Sequence, residues 1–185
     1  MCPNAVVVSG LAYGVDIHAH RAALSSGLPT VGVLAHGLDQ IYPRMHKHTA
    51  AQMVAQGGLL TEFMSRTNAD KRNFVQRNRI VAGLSDAVVV VESARKGGSL
   101  ITAECALDYG RVVMAVPGRV FDKNSFGSNL LIKQNKAAMV CSGGDIVYEL
   151  GWDVTKAEEV TLAPTSAPTE TLNLQPDEQA LLESM

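Results

Sequence analysis

Cations and glycines are the residues whose types and spacing could do chemistry in this chain, and that chemistry is the holding of an anion. Lys71 to Leu84 carries Lys71, Arg72, Arg77 and Arg79 with no acid, and Arg95 and Lys96 follow soon after. On a helical wheel of about 100° per residue, Phe74, Ile80, Val81 and Leu84 share one face. Arg77 falls in the middle of that face, Asn78 flanks it and Arg79 points elsewhere. A guanidinium on an apolar face must be paired inside the protein or must face a ligand. The placements that follow are Arg77 buried against one of the chain's own carboxylates or snorkelling to the surface, or Arg77 at the rim of an anion pocket. The floor of such a pocket is the turn Gly97-Gly98-Ser99, which opens a helix near Leu100. Unpaired amides and the helix dipole attract anions at such an end. The planar fork of an arginine suits phosphate, and Lys71 adds a second cation. Filling the turn, as in Gly98→Val, is expected to obstruct close approach of a phosphate.

A second glycine loop, Gly10 to Gly14, follows the strand-like run Ala5–Ser9 and precedes a helix over about Ile17–Ser26. Its Gly-x-x-x-Gly spacing fits neither the dinucleotide fingerprint nor the P-loop, so a structural turn and a phosphate turn both stand. Asp16 is placed to cap the helix. His18 and His20 are two residues apart, as are His46 and His48. Neither pair can share a helix face, so no metal site is expected. Cys105 and Cys141 fall in core-like segments and read, with Cys2, as inert thiols of a reducing compartment. Glu104 lies too far along its helix to cap it and is either a surface acid or a pocket residue.

The elements that position these residues alternate. Strand-like runs occupy Ala5–Ser9, Thr30–Ala35, Leu59–Glu62, Ala87–Glu92, Val112–Val116 and Lys136–Ser142. Helical stretches lie between them, at Met45–Gln56, Asn73–Leu84, Leu100–Tyr109 and Ser128–Asn135, with a closing helix to Leu150. Apolar residues make up 46% of the 185 and aromatic ones only 5%, a balance that favours an α/β core over a β-sandwich. The four-valine run bounded by Asp86 and Glu92 reads as a fully buried parallel strand. The expected fold is an extended Rossmann-like, doubly wound, mostly parallel sheet with helices on both faces and right-handed crossovers. A net charge of −2 advertises no global basic field. No stretch approaches the roughly 20 apolar residues of a membrane span, and no signal peptide is visible, so a cytoplasmic protein is expected. Composition changes after Trp152. The expected division is a core over 1–152, a Thr/Pro-rich linker over 153–176 and the opening of a further helix over 177–185.

Five segments in this order closely resemble the DprA/Smf family of bacterial DNA-processing proteins. They are Ser9–His20 (SGLAYGVDIHAH), Gly37–Pro43 (GLDQIYP), Arg77–Ser85 (RNRIVAGLS), Gly98–Ala103 (GSLITA), and Gly110-Arg-Val with Val116-Pro-Gly118. The resemblance covers about Val6 to Leu150. It implies an extended Rossmann-type domain that binds single-stranded DNA during natural transformation, dimerises and helps load the RecA recombinase, without catalysis or a cofactor. By motif position it assigns Arg77 and Arg79, the glycine turn through Thr102, and the first glycine loop to a positively charged pocket. The candidate DNA- and phosphate-binding residues are therefore Ser9, Gly10, Ala12, Gly14, Asp16, Lys71, Arg77, Asn78, Arg79, Gly97, Gly98, Ser99 and Thr102, with Arg77 as the anchor. Set against the family pattern, this sequence is expected to lack the usual N-terminal helical domain and the strand before residue 5, and its last residues are expected to open a winged helix. A sheet edge is thereby expected to be exposed. Val75 stands where proline is usual, Gly97 where serine is common, and Asn135-Lys136 where Gly-Ala is usual. Few aromatic side chains are available for stacking, among them Phe74, Phe121 and Phe126. The competing reading is a nucleoside-monophosphate phosphoribohydrolase similar to LOG proteins, with Glu104 as a vestigial catalytic acid, or a nucleotide-sensing pocket.

Overall fold

The alternation of short β-branched runs with amphipathic stretches becomes, in the computed structural model, a parallel α/β fold described over residues 5–152. The elements are β1 (Val7–Ser9), α1 (Val15–Ser25), β2 (Thr30–Val33), a short 3-10 turn (Arg44–His46) leading into α2 (Lys47–Gln56), β3 (Gly58–Leu60), α3 (Lys71–Leu84), β4 (Ala87–Val90), α4 (Gly98–Asp108), β5 (Val112–Ala115), α5 (Phe126–Lys133), β6 (Ala138–Met139) and α6 (Gly143–Glu149). The strands are shorter than their apolar runs. The last bond between β4 and β5 runs from the Val116 amide to the Val90 carbonyl. Pro117 then has no N–H to continue the ladder. Asn135 closes α5 at φ 54°, a left-handed position that asparagine tolerates better than most residues. The expected linker, the expected C-terminal helix opening and Cys2 lie outside the described residues.

Every strand pair is parallel, in the orders β1-β2-β3 and β4-β5-β6. Registers such as Val7 opposite Thr30 and Ala87 opposite Val112 place the ends of β1, β2 and β4 beside the loops that carry the glycines. Among the described residues no ladder joins β1 to β4; α3 links the two groups, packing on β1, on β2 and on α4. Burial follows this arrangement. The middle strands are buried, with Val113, Met114 and Ala115 of β5 all at 5% exposure or less, whereas β1 and most of β4 are only half-buried. The valine run is therefore not the fully covered strand its composition implies: β4 has a neighbour on one edge, and Val91 beyond it is 44% exposed.

Helices cover both faces. A side chain at Gly32 would meet Met53 of α2, and Val33, which must point to the opposite face, lies where α3 packs on β2. One core gathers Leu11, Ile17, Leu34, Ala50 and Met53, and the other gathers Ala82, Val90, Ala103, Ala106, Val113, Ala115 and Leu131. Ala82 and Arg77 are the buried residues of α3. Ile80 and Val81 are half-buried and Leu84 is exposed, so the apolar face expected from the wheel is only partly covered. Cys105 is half-buried and Cys141 exposed, which corrects the expectation of two core thiols. Among the described residues no helix is long and apolar enough to cross a membrane.

Candidate functional site

The first glycine loop folds around its own acid. Asp16 Oδ2 accepts hydrogen bonds from the Gly10 amide at 3.0 Å and the Ala12 amide at 3.3 Å. A carboxylate thus occupies the place an anionic ligand would take on those amides. Helix α1 begins one residue earlier than this aspartate, with Gly14 at φ 80° in the cap position, so Asp16 closes the loop and does not cap the helix. Leu11 takes a left-handed φ of 57° and is held there by its wholly buried side chain and by His46, whose Nδ1–H donates to its carbonyl at 2.8 Å.

Arg77 belongs to this knot. Its guanidinium is only 3% exposed, and Nη1 donates to the carbonyls of Gly10, at 2.9 Å, and of Val33. It ties the ends of β1 and β2 to α3, with Phe74 of the preceding turn 5.9 Å beneath the cation. A Cβ at position 10 would stand 2.4 Å from the guanidinium nitrogens, so this contact requires glycine. Burial pushes the Arg77 pKa down, and Asp16 opposes the shift. The structure therefore places Arg77 in the interior, against carbonyls and near a carboxylate. It is not at the rim of the second glycine turn as the anion-pocket reading expected.

His20 completes the cluster. Thr30 Oγ1 spends its only proton on the Val7 carbonyl at 2.9 Å, so it must accept from Nδ1–H of His20 at 2.7 Å. The remaining His20 nitrogen, Nε2, is buried without a partner, as is Arg77 Nε. Burial pushes the His20 pKa to about 4; Asp16 raises it, while His46 and Arg77 lower it further. His20 and His46 turn inward and His18 and His48 are exposed, so each pair is split between faces as its spacing dictates. Among the described residues no three His, Cys, Asp or Glu side chains converge to hold a metal ion.

The second glycine turn is built differently. Helix α4 starts at Gly98 with Gly97 in the cap position, and among the described residues no side chain caps it. The Leu100 amide donates back to the Gly97 carbonyl at 3.2 Å, which leaves the Gly98 and Ser99 amides at the positive end of the helix dipole. Asn78 Nδ2 and Thr102 Oγ1 both donate to the Gly98 carbonyl, at 3.2 and 3.3 Å, and fasten the turn to α3. An open pocket of about 340 Å³ lies in front, lined by Glu92, Ser93, Ala94, Gly97, Ser99 and Asn124. The glycine packed tightly here is Gly97, whose Cβ would sit 2.5 Å from Ser93 Oγ; at Gly98 the nearest atom, Asn78 Nδ2, is 3.9 Å away. Gly97 is thus packed against the protein itself, whereas the space in front of Gly98, where a phosphate is expected to approach, is open.

Arg79 forms an ion pair with Glu62 on the surface. Lys71 is exposed at the amino end of α3, two helical turns from Asn78. Asp70 caps that end, accepting from the Arg72 and Asn73 amides at 2.8 and 3.1 Å. Cations in the first turn of a helix oppose its dipole, so helix stability does not explain Lys71 and Arg72. Arg95 and Lys96 are exposed just before the α4 turn, with the Arg95 guanidinium 4.5 Å over the ring of Phe126. Glu104 is exposed and does not line the pocket. Sequence reasoning missed Ser93 and Asn124 as pocket residues. Asn124 comes from the β5–α5 loop, and no local pattern ties that loop to α4.

The chain resembles known proteins over most of this domain. A family model described as DNA recombination-mediator protein A matches residues 2–151. Protein Smf of Escherichia coli (strain K12) is 45% identical over 145 residues, which are 78% of this chain and 38% of that protein. DNA processing protein DprA of Bacillus subtilis (strain 168) is also 45% identical over 145 residues, 78% of this chain and 48% of the relative. Among solved structures, DNA processing protein A from Streptococcus pneumoniae matches with a TM-score of 0.72 at 42% identity, over 78% of this chain and 50% of that one. The protein of that name from Helicobacter pylori, solved for its single-stranded DNA binding mode, matches with a TM-score of 0.69 at 32% identity, over 78% of this chain and 65% of that one. The chain thus spans 38% to 48% of the length of these two curated relatives.

Proposed function

Because this chain belongs to the DNA recombination-mediator protein A family, we propose that its described domain binds single-stranded DNA by its phosphates. In this reading it shields incoming strands during natural transformation and helps load the RecA recombinase on them. It acts as a homodimer in the cytoplasm and catalyses no covalent step. The observation that carries the reading is the uncapped amino end of α4, open to solvent beside exposed Arg95 and Lys96. Backbone amides and surface cations hold phosphates without reading bases, as a protein must that accepts any strand.

The candidate residues then take two roles. Gly97, Gly98, Ser99 and Lys71 meet the strand, and Asn78 and Thr102 hold the turn in place through the Gly98 carbonyl. Gly10, Ala12, Asp16 and Arg77 brace the first loop from within, Ser9 and Gly14 flank it, and Arg79 contributes charge beside Glu62. Exposure of Glu104 outside the pocket supports binding over phosphoribohydrolysis. The test is anisotropy of a labelled oligo-dT across a salt series, with a duplex of equal length as control. The expected result is a preference for the single strand and an affinity that falls steeply with salt, by about 0.7 in log–log slope per phosphate held. Binding that ignores salt, or that favours the duplex, refutes the reading.

A further inference from the structure

The loop between β5 and α5 is built to present an aromatic ring to solvent. Asn129 clamps its base, accepting from the Gly118 amide at 3.0 Å and donating to the Gly118 carbonyl at 3.1 Å. A turn follows, closed by the Asp122 amide on the Arg119 carbonyl at 3.0 Å, with Val120 and Phe121 at its two central positions. Asp122 then secures the far side: its carboxylate accepts from the Asn124 amide at 3.0 Å and its carbonyl from the Ser125 amide at 3.2 Å. These bonds turn the polar groups inward and leave Phe121 98% exposed at the tip. Val120 beside it is 79% exposed, so the tip offers a ring face and an adjoining apolar side chain to whatever meets it.

The tip belongs to the same surface as the α4 turn. Asn124 lines the pocket together with Gly97 and Ser99. The Gly127 amide donates to the Ser93 carbonyl at 2.7 Å, and Arg95 stacks over Phe126, so the two loops are fastened to each other. Arg119 and Lys123 flank Phe121 two residues to either side in the chain, and exposed Arg95 and Lys96 precede the α4 turn to which this loop is fastened; Glu92 and Asp122 are the nearby acids in sequence, the second engaged within its own loop. An aromatic face among cations, beside a site for phosphate, matches a strand whose bases are unpaired. A duplex hides its base faces in the stack.

We propose that Phe121 is the platform on which an unpaired base stacks when the strand's phosphates lie on the α4 turn, an inference that rests on the binding reading above. Phosphate contacts there set affinity, and Phe121 sets the preference for single strands.

The test compares the wild-type chain with Phe121→Ala and Phe121→Trp, each titrated with labelled oligo-dT and with an abasic oligomer of equal length over a salt series. Phe121→Ala should weaken oligo-dT binding about 5- to 150-fold while leaving the salt slope unchanged. It should not alter binding of the abasic strand. Phe121→Trp should restore binding, with indole fluorescence quenched by oligo-dT beyond the change seen in the wild type, whose Trp152 is the background. If the wild type binds oligo-dT and Phe121→Ala binds it equally well, the stacking role is wrong and the binding reading survives. An equal loss on the abasic strand, or a change in oligomeric state on gel filtration, also overturns it, since the ring then serves a protein contact or the fold. A wild type that binds neither strand overturns the binding reading and this inference with it.

Discussion

Replacing Arg77 with alanine separates a residue that touches DNA from one that braces the site. Nη1 of Arg77 donates to the carbonyls of Gly10 and Val33, and the side chain is 3% exposed. Truncation orphans two acceptors in a region where water does not replace the guanidinium without rearrangement, at a cost of about 1–3 kcal/mol each. It also leaves Asp16 without its cation, while removing the expense of burying an arginine in the first place. The net expectation is a loss of about 3 kcal/mol. Urea unfolding followed by circular dichroism measures it as a lower midpoint with an unchanged m-value. DNA binding of the folded fraction should keep the wild-type salt slope, because no phosphate contact has gone. Lys71→Ala is the mirror image, with unchanged stability and a slope smaller by about 0.7. Arg77→Lys, which keeps a charge but not the fork, should recover only part of the stability. A variant Arg77→Ala that unfolds like the wild type yet loses salt-dependent binding would refute the reasoning, and would return Arg77 to the DNA surface.

Acid should act through His20. Its folded-state pKa of about 4 lies below the ordinary 6.5, so the unfolded chain takes up a proton that the folded one resists. No stability is lost above pH 6.5; the loss grows as pH falls from there and levels off below 4, reaching roughly 3 kcal/mol. Denaturation of wild type and His20→Gln at pH 7 and pH 4.5 should show the variant losing less stability over that interval. The two turn glycines should respond unequally. Gly97→Ala drives a methyl into Ser93 Oγ and should lower stability by about 1–2 kcal/mol together with DNA affinity. Gly98→Ala meets nothing nearer than 3.9 Å and should be neutral to stabilising by up to about 1 kcal/mol, read from thermal melts.

Local chemistry announces itself within a few residues, and the elements show it. The β-branched runs before Gly10 and before Lys96 each became a parallel strand, and Gly97-Gly98-Ser99 opens α4 as turn chemistry requires. Arg77 on an apolar face was legible as an anomaly. How it is resolved was not, because the carbonyls it binds lie 44 and 67 residues away in the chain. The same limit hid the pocket's Asn124 and the pairing of the β4–α4 and β5–α5 loops.

By itself, then, the amino-acid order determined the strand–helix alternation, the parallel class of the fold and the motifs that mark the family. Each of these rests on periodicity, turn propensity or a short run of residue types. Tertiary structure alone decided which glycine loop remains open. Asp16 folds back to fill the first, at 3.0 and 3.3 Å, whereas the second begins a helix that no side chain among the described residues caps. Both loops carry glycines and a helix start, so their patterns look alike. The difference is a hydrogen-bond partner, and a partner exists only once the chain has folded around it.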